Sequence, residues 1–234
     1  GYGRRLTMVL QLLGDDIDIG DIGTQSSRLQ LNSFAHDASN QDVLAIWRTA
    51  YLGIGAANAA IDGIPKVDMN ETKKNELLGE ARLLRSFFYY HLVQLFGDIP
   101  YIAESVTDPS TVTSINRTKA EEVYTFIIED CQFAIANLPN TFPNNNKARP
   151  SKGAAQTLLA SVYMVQKNWA DAATQAQAVI QGAGSYNYAL ATDFQDLWKA
   201  DLGFQDEHVW VADFAGSITG ENSSNVDYTA AMTG

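Results

Sequence analysis

Apolar positions recur at steps of three and four over much of the chain. The longest such run is Leu77, Ala81, Leu84, Phe88, Leu92 and Leu95. That spacing draws one apolar stripe along a helix from about Thr72 to Phe96. The stretch is rich in Leu, Ala, Glu, Arg and Gln, which favour helix. Gly97 ends it and Pro100 forbids its resumption. Phe87, Phe88, Tyr89 and Tyr90 stand in a row and must cover more than one face. The helix is therefore expected to have neighbours on two sides, as an inner member of a stacked array does.

The same periodicity predicts five further helices. Arg4–Leu13 carries Leu6, Val9, Leu10 and Leu13 on one side, with Gly14 closing it. Asn40–Ile61 aligns Trp47, Tyr51, Ile54, Asn58 and Ile61, with Ser39 as the expected N-cap and Asp42 in the first turn. Thr118 with Glu121 three residues later has the spacing of a capping box, and the helix runs to Leu138 before Pro139. Lys152–Gln166 and Trp169–Gln181 form a hairpin, capped by Ser151 and Asn168. Ala160, Tyr163 and Ala172 in that hairpin follow the small–aromatic–small spacing of tetratricopeptide repeats. Asp15–Ser39 shows no sustained helical period and reads as a long loop, as does Ile102–Asn116. Beyond Gly182 a helical turn is expected at Phe194–Trp198 and an extended segment at His208–Val211. The expected fold is all-α: stacked helical hairpins resembling tetratricopeptide repeats, with long loops and little strand before residue 205. The helical region is drawn as residues 1–185, and a loop-rich region begins at 186–234.

Composition narrows the function. The 234 residues are 46% hydrophobic and 18% charged, which fits a folded chain. The formal charge of −11 opposes sequence-independent nucleic-acid binding and simple docking on anionic lipid. No apolar run approaches the roughly 20 residues a membrane-spanning helix needs. Cys131 has no second cysteine to pair with and is expected to be buried as a small apolar side chain. His36, His91 and His208 are scattered, so a zinc site is not expected. No phosphate loop and no nucleophile elbow occur, and no cofactor is called for. Asp15, Asp16, Asp18 and Asp21 form an acidic run that reads first as solvated turns after a helix end. Calcium coordination by these four is its alternative, although the EF-hand spacing is not met. Trp47, Trp169, Trp198 and Trp210 read as core residues before they read as a sugar platform. Glu80, Arg82 and Arg85 do not share one helical face, and are expected to cap or brace a neighbouring loop.

Glu80-Ala81-Arg82-Leu83-Leu84-Arg85-Ser86 followed by Leu95-Phe96-Gly97-Asp98-Ile99-Pro100 resembles the signature of the SusD/RagB family. The Trp47–Ile61 pattern resembles the helix that precedes that signature. Ser185–Phe214, with Glu207 just before an apolar segment, is similar to the stretch after the family's last N-terminal hairpin. The resemblance runs from about Arg4 to Phe214 and covers the N-terminal half of the family's usual length. It implies a cell-surface lipoprotein of the outer membrane that binds a glycan and delivers it to a SusC-like TonB-dependent transporter for nutrient uptake. It implies no catalysis, no nucleic-acid partner, and membrane attachment only through an N-terminal lipid absent from this chain. A helical-repeat adaptor for a protein partner and, behind it, a glycoside hydrolase using the acidic run are the competing readings.

Sugars present hydroxyls to planar polar groups and a flat apolar face to an aromatic ring. Asp18, Asp21, Arg28, Asn32, Phe34 and His36 supply both types within one expected loop, and long loops often carry function. In the resembling family, loops between the first helices contribute to the glycan site. These six residues are accordingly the glycan-binding candidates.

Overall fold

A computed structural model describes residues 5–14, 17–20, 23–198 and 204–212. Its helices are α1 (Thr7–Leu12), α2 (Ser26–Asn32), α3 (Gln41–Gly63), α4 (Glu71–Phe96), α5 (Ala120–Asn137), α6 (Lys152–Val165), α7 (Trp169–Gln181) and α8 (Ala183–Tyr186). The described residues fall into two compact units, one before Gly53 and one from Gly53 onward. The expected all-α class holds. Among the described residues the only β pairing is an isolated antiparallel bridge between Ile99 and Thr118. His208–Val211 does not become a strand; Val211 N–H donates to Lys147 O at 2.9 Å and the pairing goes no further.

From Gly53 onward each long helix packs on the next in the chain, α4 on α5, α5 on α6 and α6 on α7. Asn70 starts α4 by accepting the Lys73 N–H at 2.8 Å. Gly97 ends it at φ +68, ψ −127, a conformation a Cβ would oppose. The expected stripe is displaced by part of a turn. The residues buried on α4 are Gly79, Ala81, Leu83, Arg85, Ser86, Tyr89, Leu92 and Val93, whereas Leu77, Leu84, Phe88 and Leu95 are half-buried. Small residues, not the long ones, mark where neighbours come close. Leu138 lies against Gly79, 3.2 Å from where a Cβ would stand. The aromatic quartet does meet several neighbours. Phe88 fills the space a Cβ on Gly53 would take, Phe87 lies edge-on to Trp210 at 5.1 Å, and Tyr89 lies 4.8 Å from Tyr101.

The Gly97–Ile102 stretch is a fastening. Asp98 accepts the Ala120 N–H at 2.9 Å and so caps α5, which has no side-chain cap of its own. The capping box expected from Thr118 and Glu121 is not formed, because Thr118 pairs with Ile99 instead. Tyr101 stacks on Phe126 at 4.1 Å with a 17° interplanar angle. Three side chains from two helices then hold the next residues. Asn58 of α3 donates to Ile102 O and Glu104 O, Arg85 of α4 donates to Ala103 O, and Tyr89 both donates to and accepts from the Ile102 backbone.

Arg85 is the hub of this fastening. It lies 6% exposed and makes a two-pronged contact with Asp130 of α5 at 2.7 and 2.9 Å. Its Nη1 also reaches Asn58 at 3.0 Å. Arg82 stacks over Phe133 at 4.1 Å. Glu80 pairs with Arg149, whose guanidinium also lies 4.0 Å over the Phe142 ring. Glu80 and Arg85 brace neighbouring loops as expected, whereas Arg82 lies against helix α5.

Hairpin α6–α7 begins each helix as expected. Ser151 accepts Ala154 N–H and Asn168 accepts Asp171 N–H, both at 3.4 Å. Ala160 and Ala172 are buried, and Tyr163 is half-buried. Trp169 departs from the core reading: it is 63% exposed. Trp47 is half-buried with its ring 4.9 Å from Tyr51, and Trp210 donates to Ala148 O at 3.2 Å. Cys131 is fully buried, and burial pushes its thiol up to about 12. Thiolate is the reactive form, so Cys131 is expected to resist a maleimide at pH 8 while the chain is folded and to react on unfolding. Mass spectrometry of the labelled chain checks this.

Candidate functional site

The candidate residues lie in the unit before Gly53. Its Asp15–Ser39 stretch is not wholly loop, because Ser26–Asn32 forms α2. With seven residues, and only Leu29 and Leu31 apolar, α2 shows too little period to be read from sequence. Leu31 is fully buried while Leu29 faces solvent at 38% exposure. In α1 the buried residues are Met8, Val9 and Leu12, and Leu10, expected inside, is 50% exposed.

Asn40, which was not among the candidates, holds this segment in place. It is 2% exposed. Its amide donates to Ser27 O at 2.8 Å and to Gln30 at 3.0 Å, while its oxygen accepts from the Asp42 and Val43 N–H groups. It therefore caps α3 in place of the expected Ser39 and clamps α2 at the same time. Asp42 adds a 2.7 Å bond from Ser27 and a 3.5 Å pairing with Arg5. The signal was legible as an Asn two residues ahead of an acidic first turn.

Phe34 has an unusual setting. Ala35 N–H donates to Gln30 O at 2.9 Å and Phe34 N–H to Leu31 O at 3.0 Å. These are the two bonds of a Schellman ending, with Phe34 at the position that takes the left-handed conformation. Its φ is +56, where glycine is the usual occupant. A bulky side chain there costs on the order of 1–3 kcal/mol of strain. The ring is nonetheless 63% exposed, so burial does not offset that cost. Two residues earlier, Asn32 donates to Asp18 at 2.7 Å. Asp18 also accepts the Ile19 N–H at 2.7 Å.

The remaining candidates are less gathered. Arg28 Nη1 donates to Thr24 at 3.1 Å, four residues back and just ahead of α2. His36 is half-buried, and its Nδ1 has no hydrogen-bond partner among the described residues. Ser39 and then His36 hold the neighbouring Asp37 carboxyl below the usual range. Asp21 lies outside the described residues, as do Asp15 and Asp16 of the calcium alternative. Among the described residues no cluster of His, Cys, Asp or Glu could hold a metal. The arrangement brings together Asp18 and Asn32, and presents Phe34 two residues further on.

A family profile described as "Starch-binding associating with outer membrane" matches residues 18–164. The chain belongs to the SusD-like family. SusD-like protein P2 from Formosa agariphila is 41% identical over the whole of this chain, which spans 46% of that relative's length. A SusD-like protein from Bacteroides ovatus is 27% identical over 184 residues, covering 73% of this chain and 32% of its own. Among solved structures, a laminarin-binding SusD-like protein matches with a TM-score of 0.79 at 28% identity, covering 87% of this chain and 45% of that one. Surface glycan-binding protein A from Bacteroides fluxus matches at 0.75 and 25% identity, covering 87% and 43%. The chain thus spans about half the length of several SusD-like proteins, and the helical fold expected from the resemblance agrees with theirs. No helix among the described residues is long and apolar enough to cross a membrane.

Proposed function

We propose that this chain is the N-terminal half of a non-catalytic, surface glycan-binding protein. In this reading the whole protein is held at the outer membrane by a lipid and passes oligosaccharides to a SusC-like TonB-dependent transporter for nutrient uptake. Asp18, Asp21, Arg28, Asn32, Phe34 and His36 are this half's contribution to the glycan site. The observation that carries the reading is Phe34, an exposed aromatic ring kept where the backbone favours glycine. An aromatic face stacks on the apolar face of a pyranose, and Asp18 and Asn32 offer the planar hydrogen-bonding groups that sugar hydroxyls need. Two similar proteins, one laminarin-binding and one named for surface glycan binding, point to the same class of ligand.

A glycan array probed with the folded chain tests the proposal, with laminarin included. Weak binding to one class of glycan is expected, since about half the protein supplies about half the site. Absence of binding to every glycan, joined with tight capture of a protein partner, would favour the helical-repeat adaptor. Release of reducing sugar would favour the hydrolase.

A further inference from the structure

The segment after α8 is fastened back onto the array at two places. At the first, the buried Lys147 donates to Asn187 O at 3.1 Å, and its ammonium lies 4.3 Å from the centre of the Tyr188 ring. Tyr188 in turn shares a 2.9 Å hydrogen bond with Ser151, the cap of α6. At the second, Gln205–His208 forms a turn that His208 closes twice. The His208 N–H donates to Gln205 O at 3.0 Å, and the His208 Nδ1 accepts the Gln205 N–H at 3.0 Å. The two middle residues of this turn do the gripping. Asp206 O accepts the Ala189 N–H at 3.3 Å, and Asp206 Oδ1 accepts from Asn145 at 3.0 Å. Glu207 accepts the Ala191 N–H at 2.7 Å. Just past the turn, Trp210 Nε1 donates to Ala148 O and Val211 N–H to Lys147 O.

We propose that the Gln205–His208 turn is a proton-operated latch: uptake of a proton at His208 Nδ1 opens it and frees residues 189–191 from the turn. An imidazole nitrogen accepts a hydrogen bond only while it carries no proton. The bond from Gln205 therefore fixes His208 as the neutral tautomer with its proton on Nε2. Protonation sets Nδ1–H against the Gln205 N–H, two donors face to face, and removes one of the two closures. The closed turn has no proton at Nδ1 and the open one can take it up, so closure is favoured at high pH. It is lost as pH falls through the range where histidine titrates, about pH 5–8. Asp206 and Glu207 on the turn attract a protonated imidazole, and Lys147 on the gripped segment repels it. None of them restores an acceptor at Nδ1. Helices α4–α7 are held by their own packing and stay closed. This inference is independent of the glycan-binding reading.

Amide hydrogen exchange of this chain at pH 8 and pH 5 tests the latch, each rate being divided by that of the unstructured peptide at the same pH. Protection at Ala189 and Ala191 is expected to fall by about fivefold or more at pH 5, with Leu159 of α6 unchanged. His208→Asn supplies the control. Its Oδ1 stands at the same remove from the backbone as Nδ1, accepts the same bond and does not titrate, so protection should be equal at both pH values. Nitrogen NMR reads the tautomer, with the His208 signals identified by their loss in His208→Asn. Nδ1 should be bare at pH 8, and its protonation should share one midpoint with the loss of protection. Protection unchanged in the native chain would overturn the proposal. An equal fall in His208→Asn would assign the loosening to the carboxylates and overturn it too. So would a proton on Nδ1 at pH 8, or separate midpoints for protonation and loosening, whether or not the asparagine variant closes the turn.

Discussion

Arg85→Ala is expected to destabilise the chain by about 3–5 kcal/mol, because it takes the two-pronged partner from the buried Asp130 carboxylate and leaves it the longer 3.8 Å pairing with Arg82. Asp130 is 4% exposed, and Arg85 is its two-pronged partner. The change also removes a donor from Asn58 and from Ala103 O, loosening the segment after Pro100. For a chain of this size the loss corresponds to a fall in Tm of roughly 6–20 °C. The double variant Arg85→Met with Asp130→Leu removes both charges together and is expected to recover much of that loss. Thermal unfolding followed by circular dichroism reads both. A double variant no more stable than the single one would show that the hydrogen bonds to the loop, and not the Asp130 carboxylate, dominate.

Tyr89→Ala is expected to cost about 3–5 kcal/mol, by leaving a ring-sized cavity in the core. Tyr89 is 1% exposed, and its hydroxyl serves both the N–H and the C=O of Ile102, at 2.8 and 3.1 Å. Tyr89→Phe separates the two contributions. It keeps the ring and leaves two buried backbone groups unpaired, which costs on the order of 1–3 kcal/mol. Native-state hydrogen exchange at the Ile102 amide should therefore speed up markedly in Tyr89→Phe. Exchange unchanged at Ile102 would show that the hydroxyl does not hold this segment.

The long helices were legible because their period is sustained over several turns. Trp169–Gln181 was read to the residue, and α3, α4 and α6 within a residue or two. The Leu95–Pro100 motif was legible as a signature, but its mechanics were not. Asp98 caps a helix 22 residues away in sequence, and that non-local bond displaced the local capping box predicted at Thr118. α2 escaped notice because about two turns of helix with two apolar residues are too short to show a period. Leu10 and Trp169 were placed inside because hydrophobicity predicts burial only when a neighbour exists. The site residues were chosen by chemical type. Phe34 alone acquires an independent physical argument, since a left-handed backbone cannot be foreseen from a phenylalanine.

The central claim is that this segment contacts glycan through Phe34, and Phe34→Gly tests it most directly. Glycine suits φ +56, so the variant should be no less stable than the native chain. Stacking on an aromatic ring is worth about 1–1.5 kcal/mol, or roughly tenfold in affinity. Isothermal titration with the glycan best bound on the array compares the two proteins. The expected result is an equal or higher Tm together with binding about tenfold weaker. Unchanged affinity in a variant that keeps its fold would contradict the placement of the site.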